Sequence, residues 1–161
     1  MSYAFDSGFS LAGGISSEPT DILSVEGSDI FGLEAAYTAD AWGLAVAYTD
    51  AEDTTYWGLN GTYAFDFVTL SAGAESENPE VGDTGTGFFV GLTFPEVGAG
   101  ALDLSIGTTG NFAEGDEEYY AYEASYAYPI NDGMTMTPGV AYVETEDGDV
   151  TVFAVKTSFS F

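Results

Sequence analysis

The sequence predicts an all-β chain, a transmembrane antiparallel up-and-down β-barrel with about ten strands visible, and three observations predict it. Bulky apolar and small residues alternate with period two through most of the chain. The small face is made mainly of Gly, Ala, Ser and Thr, where the outer face of a soluble sheet would carry Lys, Arg and Glu. Most of the acidic residues fall between the alternating segments rather than inside them.

The alternation is clearest at the C-terminus, where Phe153, Val155, Thr157, Phe159 and Phe161 share one face and Ala154, Lys156, Ser158 and Ser160 the other. Over 119–128, Tyr120, Tyr122, Ala124, Tyr126 and Tyr128 oppose Ala121, Glu123, Ser125 and Ala127. Segments 42–49, 55–65 and 87–94 repeat the pattern, with Phe88, Val90, Leu92 and Phe94 set against Gly87, Phe89, Gly91 and Thr93 in the last. Weaker versions at 3–15, 30–38, 67–75, 101–107 and 134–143 bring the candidates to ten. A helix over 33–48 is the competing reading, since Leu, Glu and Ala favour it; Asp40 and Gly43 interrupt it, and the alternation on both sides of Asp40 is the cleaner signal. Pro138 inside a strand pattern predicts an irregularity or bulge.

The connections alternate in length. Short turns are expected near Ala39–Asp40, Asp66, Pro95–Gly100 and Pro129–Gly133, and longer polar loops near 16–29, 49–54, 76–86, 108–117 and 144–149. Ten strands joined this way place both termini on the short-turn side, which suits an even-numbered barrel.

Composition excludes several classes. Lys+Arg total 1 against Asp+Glu 27, a formal charge of −26, so nucleic acid and anionic surfaces are repelled. With 16% aromatics the chain is no disordered acidic tail. No Cys or His is present, which removes thiolate chemistry and the commonest general base and metal ligand. No enzyme, cofactor or metal centre is expected, because no short spacing singles out a carboxylate pair for glycosidic chemistry. No apolar run approaches the roughly 20 residues of a membrane helix. The N-terminus shows no basic-then-apolar leader, so a mature or engineered form starting at an added Met1, or a fragment of a longer protein, is expected.

Aromatics toward the strand ends of the bulky face, Tyr37, Trp42, Tyr48, Phe65, Tyr126, Tyr128 and Tyr142, fit the two girdles that flank a lipid-facing band. Phe153, Phe159 and the terminal Phe161 look like the C-terminal insertion signal of outer-membrane barrels; an ordinary alternating terminal strand is the lesser alternative for that motif taken alone.

The stretch from about 85 to 161 resembles the C-terminal part of cyanobacterial outer-membrane porins, the S-layer-homology-domain porins related to carbohydrate-selective porins and often labelled iron uptake porins. Gly91-Leu-Thr-Phe-Pro-Glu-Val-Gly98, Leu102-Asp-Leu-Ser-Ile-Gly107, Tyr122 through Val140 and Lys156-Thr-Ser-Phe-Ser-Phe161 carry the likeness, with Asp132-Gly-Met-Thr-Met-Thr-Pro-Gly-Val140 its most specific element. Ala36 through Tyr48 is similar to versions from marine picocyanobacteria. The resemblance implies the C-terminal portion of a larger porin of about sixteen strands, or a shortened relative. A protein of that kind is expected to meet the lipid bilayer and the outer-membrane assembly machinery, and to form a homotrimer.

Within such a barrel, Glu34, Glu75, Asp103, Glu123 and the lone base Lys156 fall on the lumen face as candidate pore-lining residues. The carboxylates there favour cation passage, or simply solubilise a wet interior. The cluster Glu144, Glu146, Asp147 and Asp149 is the densest loop candidate for attracting cations, although it lacks EF-hand spacing and a solvated loop is the plainer reading. The expected function is a porin passing small solutes and inorganic ions. The alternative is a small closed barrel with a filled interior that serves as a structural or adhesion protein.

Overall fold

The computed structural model describes residues 2–17 and 29–160. All of its regular structure is strand: β1 (Ser2–Ala4), β2 (Phe9–Ser17), β3 (Asp29–Thr38), β4 (Trp42–Ala51), β5 (Thr54–Ala64), β6 (Thr69–Pro79), β7 (Gly85–Val97), β8 (Gly100–Thr108), β9 (Tyr120–Asn131), β10 (Met134–Val143) and β11 (Val150–Phe159). They form one sheet in sequence order, every neighbouring pair antiparallel. This is the expected up-and-down topology. The segment 33–48 is two strands and not a helix. Apart from β1, the strands run 9 to 13 residues, close to what a tilted strand needs to cross a hydrocarbon layer.

Among the described residues the count is eleven rather than ten because the expected strand over 3–15 is a hairpin. β1 pairs with β2 through Tyr3 opposite Leu11, and the chain reverses at Phe5–Gly8. Tyr3, Phe5, Phe9 and Leu11 are all odd-numbered, so the reversal leaves the alternation in phase and only Gly8 marks it. Gly8 has φ 83°, and its backbone carbonyl accepts from Thr38 N–H at 2.9 Å. The extra strand overturns the even parity: β1 and β11 each run toward the turn side that joins β3 to β4.

Two other connections differ from expectation, and the irregularity expected at Pro138 takes the form of a lapse in one ladder. The loop over 49–54 is a two-residue turn, since β4 ends at Ala51 and β5 begins at Thr54; Glu52 takes φ 50° to make it. β7 runs on through Pro95 to Val97, with the register irregular between Phe94 and Val97 and the reversal made at Gly98. Pro138 forms no bulge. It stays opposite Val155 on β11, while the ladder to β9 lapses at Thr137 and Pro138 and resumes at Gly139 in the same register. A proline has no N–H to give, so the lapse is local. The register shift on that side lies between Met134 and Thr135. Most of the expected loop over 16–29 falls outside the described residues.

Among the described residues no second layer of strands packs on the sheet. Among the described residues Val68 is the one buried hydrophobic, and no large side chain is fully buried. On the bulky face Trp57 and Leu59 are each 51% exposed, beside exposed Leu44, Val46 and Phe88. A contiguous exposed apolar face of this size marks a surface that water does not solvate.

Gly8→Val tests the reversal that adds β1. A Cβ at Gly8 would lie 2.2 Å from the Thr38 carbonyl oxygen, at a φ that side chains resist. The substitution should cost about 2 kcal/mol, read as a lower urea midpoint for the refolded chain.

Candidate functional site

The register assigns each strand residue to a face. On one face, Glu34 sits between Ala12 and Ala47, Glu75 between Gly58 and Gly87, Asp103 between Thr93 and Ser125, and Glu123 between Ser105 and Ala141. Lys156 is opposite Thr137 on this same face. All five expected residues therefore share a surface of small neighbours. The structure does not gather them at one point. Glu34 and Glu75 lie in one row, separated by Ala47 and Gly58. Asp103 and Glu123 are diagonal neighbours on β8 and β9, where side chains are typically about 7–8 Å apart. Thr93 donates to Asp103 at 2.6 Å, and Ser105 to Glu123 at 3.5 Å. No carboxylate faces Lys156 across β10.

Sequence reasoning missed Glu77. Expected in a loop, it belongs to β6, opposite Tyr56 and Gly85, one step along the face from Glu75. The Tyr56 hydroxyl and the Asn111 side-chain amide each lie 3.4 Å from its carboxylate. Asn111 belongs to the segment between β8 and β9, which folds back over this face. Thr86 and Phe112 form an isolated antiparallel bridge, their N–H to O distances 2.9 and 3.0 Å. Gly85 and Gly87 make room for it: a Cβ at Gly87 would lie 2.6 Å from Asn111 Oδ1. Asn111 Oδ1 is buried without a hydrogen-bond partner. The pairing of Gly-X-Gly at 85–87 with an eleven-residue connection is the signal that a sequence reader had available. Further along this connection, burial first and then the Glu117 and Glu146 carboxylates push the Tyr119 phenol up from its ordinary value.

The acidic turn after β10 is compact. Glu144 continues the ladder through its N–H to Tyr120 O at 2.9 Å, and its carboxylate accepts from Tyr120 N–H at 3.1 Å. Asp149 accepts from the Tyr142 hydroxyl at 2.5 Å, and Thr145 and Gly148 close the turn around Glu146 and Asp147. Among the described residues no group of three carboxylates converges as a metal ion would require.

The opposite face carries the aromatics in two bands. Tyr37–Trp42 at 5.1 Å, Tyr63–Phe65 at 4.6 Å and Tyr126–Tyr128 at 6.4 Å lie toward the β3–β4 turn side. Tyr48–Trp57 at 4.7 Å and Tyr122–Tyr142 at 6.1 Å lie toward the other. Rows such as Ala35–Val46–Leu59–Ala74 run between them. Tyr hydroxyls reach outward from both bands: Tyr48 donates to Asp50 at 3.1 Å, and Tyr126 to the Val97 carbonyl at 2.6 Å. Trp57, Tyr63 and Tyr122 join the expected girdle residues here. On β11, Phe153 is opposite Val140 and Phe159 opposite Met134; Phe161 lies outside the described residues.

A family description matches residues 1–148, nearly the whole chain: Gram-negative porin. The chain belongs to the Gram-negative porin family. It is an outer-membrane β-barrel chain, as the strand order and the unsolvated face require. No curated protein matches the sequence. Among solved structures, a mutant of the porin of Rhodopseudomonas blastica is similar at TM-score 0.71 and 22% identity, over 99% of this chain and 53% of that one. A second mutant of that porin gives 0.70 and 23% over the same shares. The KdgM porin, solved in complex with disordered oligogalacturonate, is similar at TM-score 0.54 and 11% identity, over 100% of this chain and 89% of that one. The chain thus spans about half the length of the R. blastica porin it resembles.

Gly87→Val should lift the 109–112 segment from β7, because the side chain would occupy the place of Asn111. The expected outcome is several-fold faster cleavage by a glutamate-specific protease at Glu114, Glu117 or Glu118 in the otherwise folded chain, for an overpacking cost of about 1–3 kcal/mol. Unchanged cleavage kinetics would show that the segment does not depend on this glycine.

Proposed function

We propose that the chain forms the wall of a water-filled pore giving passive diffusion to small solutes and inorganic ions, with cations favoured. The observation that carries this reading is the division of charge between the faces. Glu34, Glu75, Glu77, Asp103 and Glu123 all stand on the small-residue face, while the opposite face is apolar between its aromatic bands. A charge on the lipid side at mid-depth costs a few kcal/mol, so the carboxylate face is the lumen and the aromatic bands are the girdles. Carboxylates fixed along a low-dielectric wall concentrate cations and repel anions. The acids of the turn after β10 add to this field at the mouth, and Lys156 is a solitary positive point on the wall.

Family membership supports the porin reading. The absence of any packed interior among the described residues counts against a small filled barrel. No ladder joins β1 to β11 among those residues, and β11 is exposed along its whole length. Hydrocarbon does not tolerate such an edge. We therefore read the sheet as part of a wider barrel whose remaining strands pair with β1 and β11, inserted by the outer-membrane assembly machinery through a signal that includes Phe153 and Phe159, and assembled as a homotrimer. Within the porins, the motifs between 91 and 161 favour a cyanobacterial affinity.

Two measurements in planar bilayers test the function. Correctly folded protein should give discrete open-channel steps; their absence would sink the pore reading. In a salt gradient the reversal potential should have the sign of cation preference. A joint Glu34→Gln, Glu75→Gln, Asp103→Asn, Glu123→Gln variant should move it toward zero by half or more, and an anion-selective wild type would rule out the role given to these carboxylates.

A further inference from the structure

We propose that the small-residue face carries a binding subsite for an organic cation, a protonated amine or guanidinium on an aliphatic stem, formed by Phe89, Glu75 and Asn60. The proposal rests on the reading of this face as the wall of a wet lumen. Phe89 is anomalous there: mid-strand, 44% exposed, and aromatic in a row otherwise of small or polar residues. Both of its cross-strand partners are glycines, Gly73 on β6 and Gly107 on β8. The ring uses that space and lies over Gly73, where a Cβ would come within 2.3 Å of it. It is thereby turned toward β5 and β6 and laid along the wall.

Beside the ring is a cavity of about 220 Å³ whose lining takes Gly58, Asn60, Gly73, Glu75 and Phe89 from this face and is completed by Leu59, Ala74, Phe88 and Thr108 at the alternate positions. Asn60 is opposite Gly73, and Glu75 is the diagonal neighbour of Phe89 across β6 and β7. That spacing brings a group held by the carboxylate within the range at which an aromatic face attracts a cation, about 6 Å from the ring centre. Among the described residues no hydrogen bond or ion pair engages the Glu75 carboxylate. The one lysine is on β11, four strands from β7, and the chain has a net charge of −26. Glu77, one step along β6, adds a second negative charge. A free carboxylate beside an exposed ring, with an amide opposite and no competing base, selects a donor-rich cation with apolar surface. A neutral sugar would use the ring and the amide but leave the carboxylate without a counter-charge.

The test is titration calorimetry with spermidine on the refolded full chain in detergent micelles at low salt. Saturable binding is expected. Glu75→Gln should weaken it by roughly tenfold, and Phe89→Leu, which keeps an apolar side chain over Gly73, by roughly three- to tenfold. Asp66→Asn, at the turn between β5 and β6, should leave the affinity unchanged, and a folded-state gel shift for each variant confirms that the barrel chain is intact. The proposal is overturned if no saturable heat appears. It is equally overturned if Phe89→Leu binds like wild type, which means diffuse charge attraction only, or if glucose binds with the same dependence on Phe89 and none on Glu75. Calorimetry needs no current through the protein, so a closed or non-conducting barrel that still binds spermidine in this pattern would count against the pore and not against the subsite.

Discussion

Every backbone N–H and C=O placed in hydrocarbon must find a partner within the protein, and the rest of this structure follows from that requirement. Each strand from β2 to β10 is bonded on both sides to its neighbours in the sequence. Short connections make that order the easiest to reach. They also confine the residues that cannot serve a ladder. Pro79, Pro95 and Pro129 stand at or near strand ends, and among the described residues the one proline well inside a strand, Pro138, costs the β9–β10 ladder two positions without shifting its register there.

With the backbone satisfied internally, the side chains are released to two separate tasks by the pleat. A one-residue slip in any pair would move carboxylates such as Glu75 and Glu123 to the apolar face and Trp57 or Tyr122 to the polar one. The penalty for that exchange is paid at every strand, which is why the register stays regular across the middle of the sheet. The small residues of the charged face have a second consequence. Because Gly73, Gly85, Gly87 and Gly107 carry no side chain, larger groups from elsewhere can lie flat on the wall: the Phe89 ring on one side and the 109–112 segment on the other.

The same constraint explains how a chain can share a fold with the R. blastica porin at 22% identity. A lipid-facing strand asks for residue classes at alternate positions, not for particular residues. Family likeness therefore survives in the pattern and in turn chemistry while identities drift. The chain spans about half of that porin, and among the described residues no ladder joins β1 to β11.

The alternation was legible because its period matches the pleat directly, and it was enough to place Glu34, Glu75, Asp103, Glu123 and Lys156 on one face. It was also the source of the errors. A reversal that keeps the phase, as Asp6–Gly8 does between two runs of odd-numbered bulky residues, cannot be seen in a period-two pattern, and so β1 was hidden inside its neighbour. Acidity was read as loop, which set Glu77 outside β6 and made a long loop of the tight turn at Glu52–Asp53. By itself, then, the sequence determined the fold class, the strand type and the face of the residues in its clearly alternating runs, since these depend only on near neighbours along the chain. Which carboxylates stand close together, that Lys156 faces Thr137, that Asn111 returns to Glu77 and that Phe89 lies over Gly73 were decided by the tertiary structure alone. Those contacts join residues far apart in the chain, and only the register between strands brings them together.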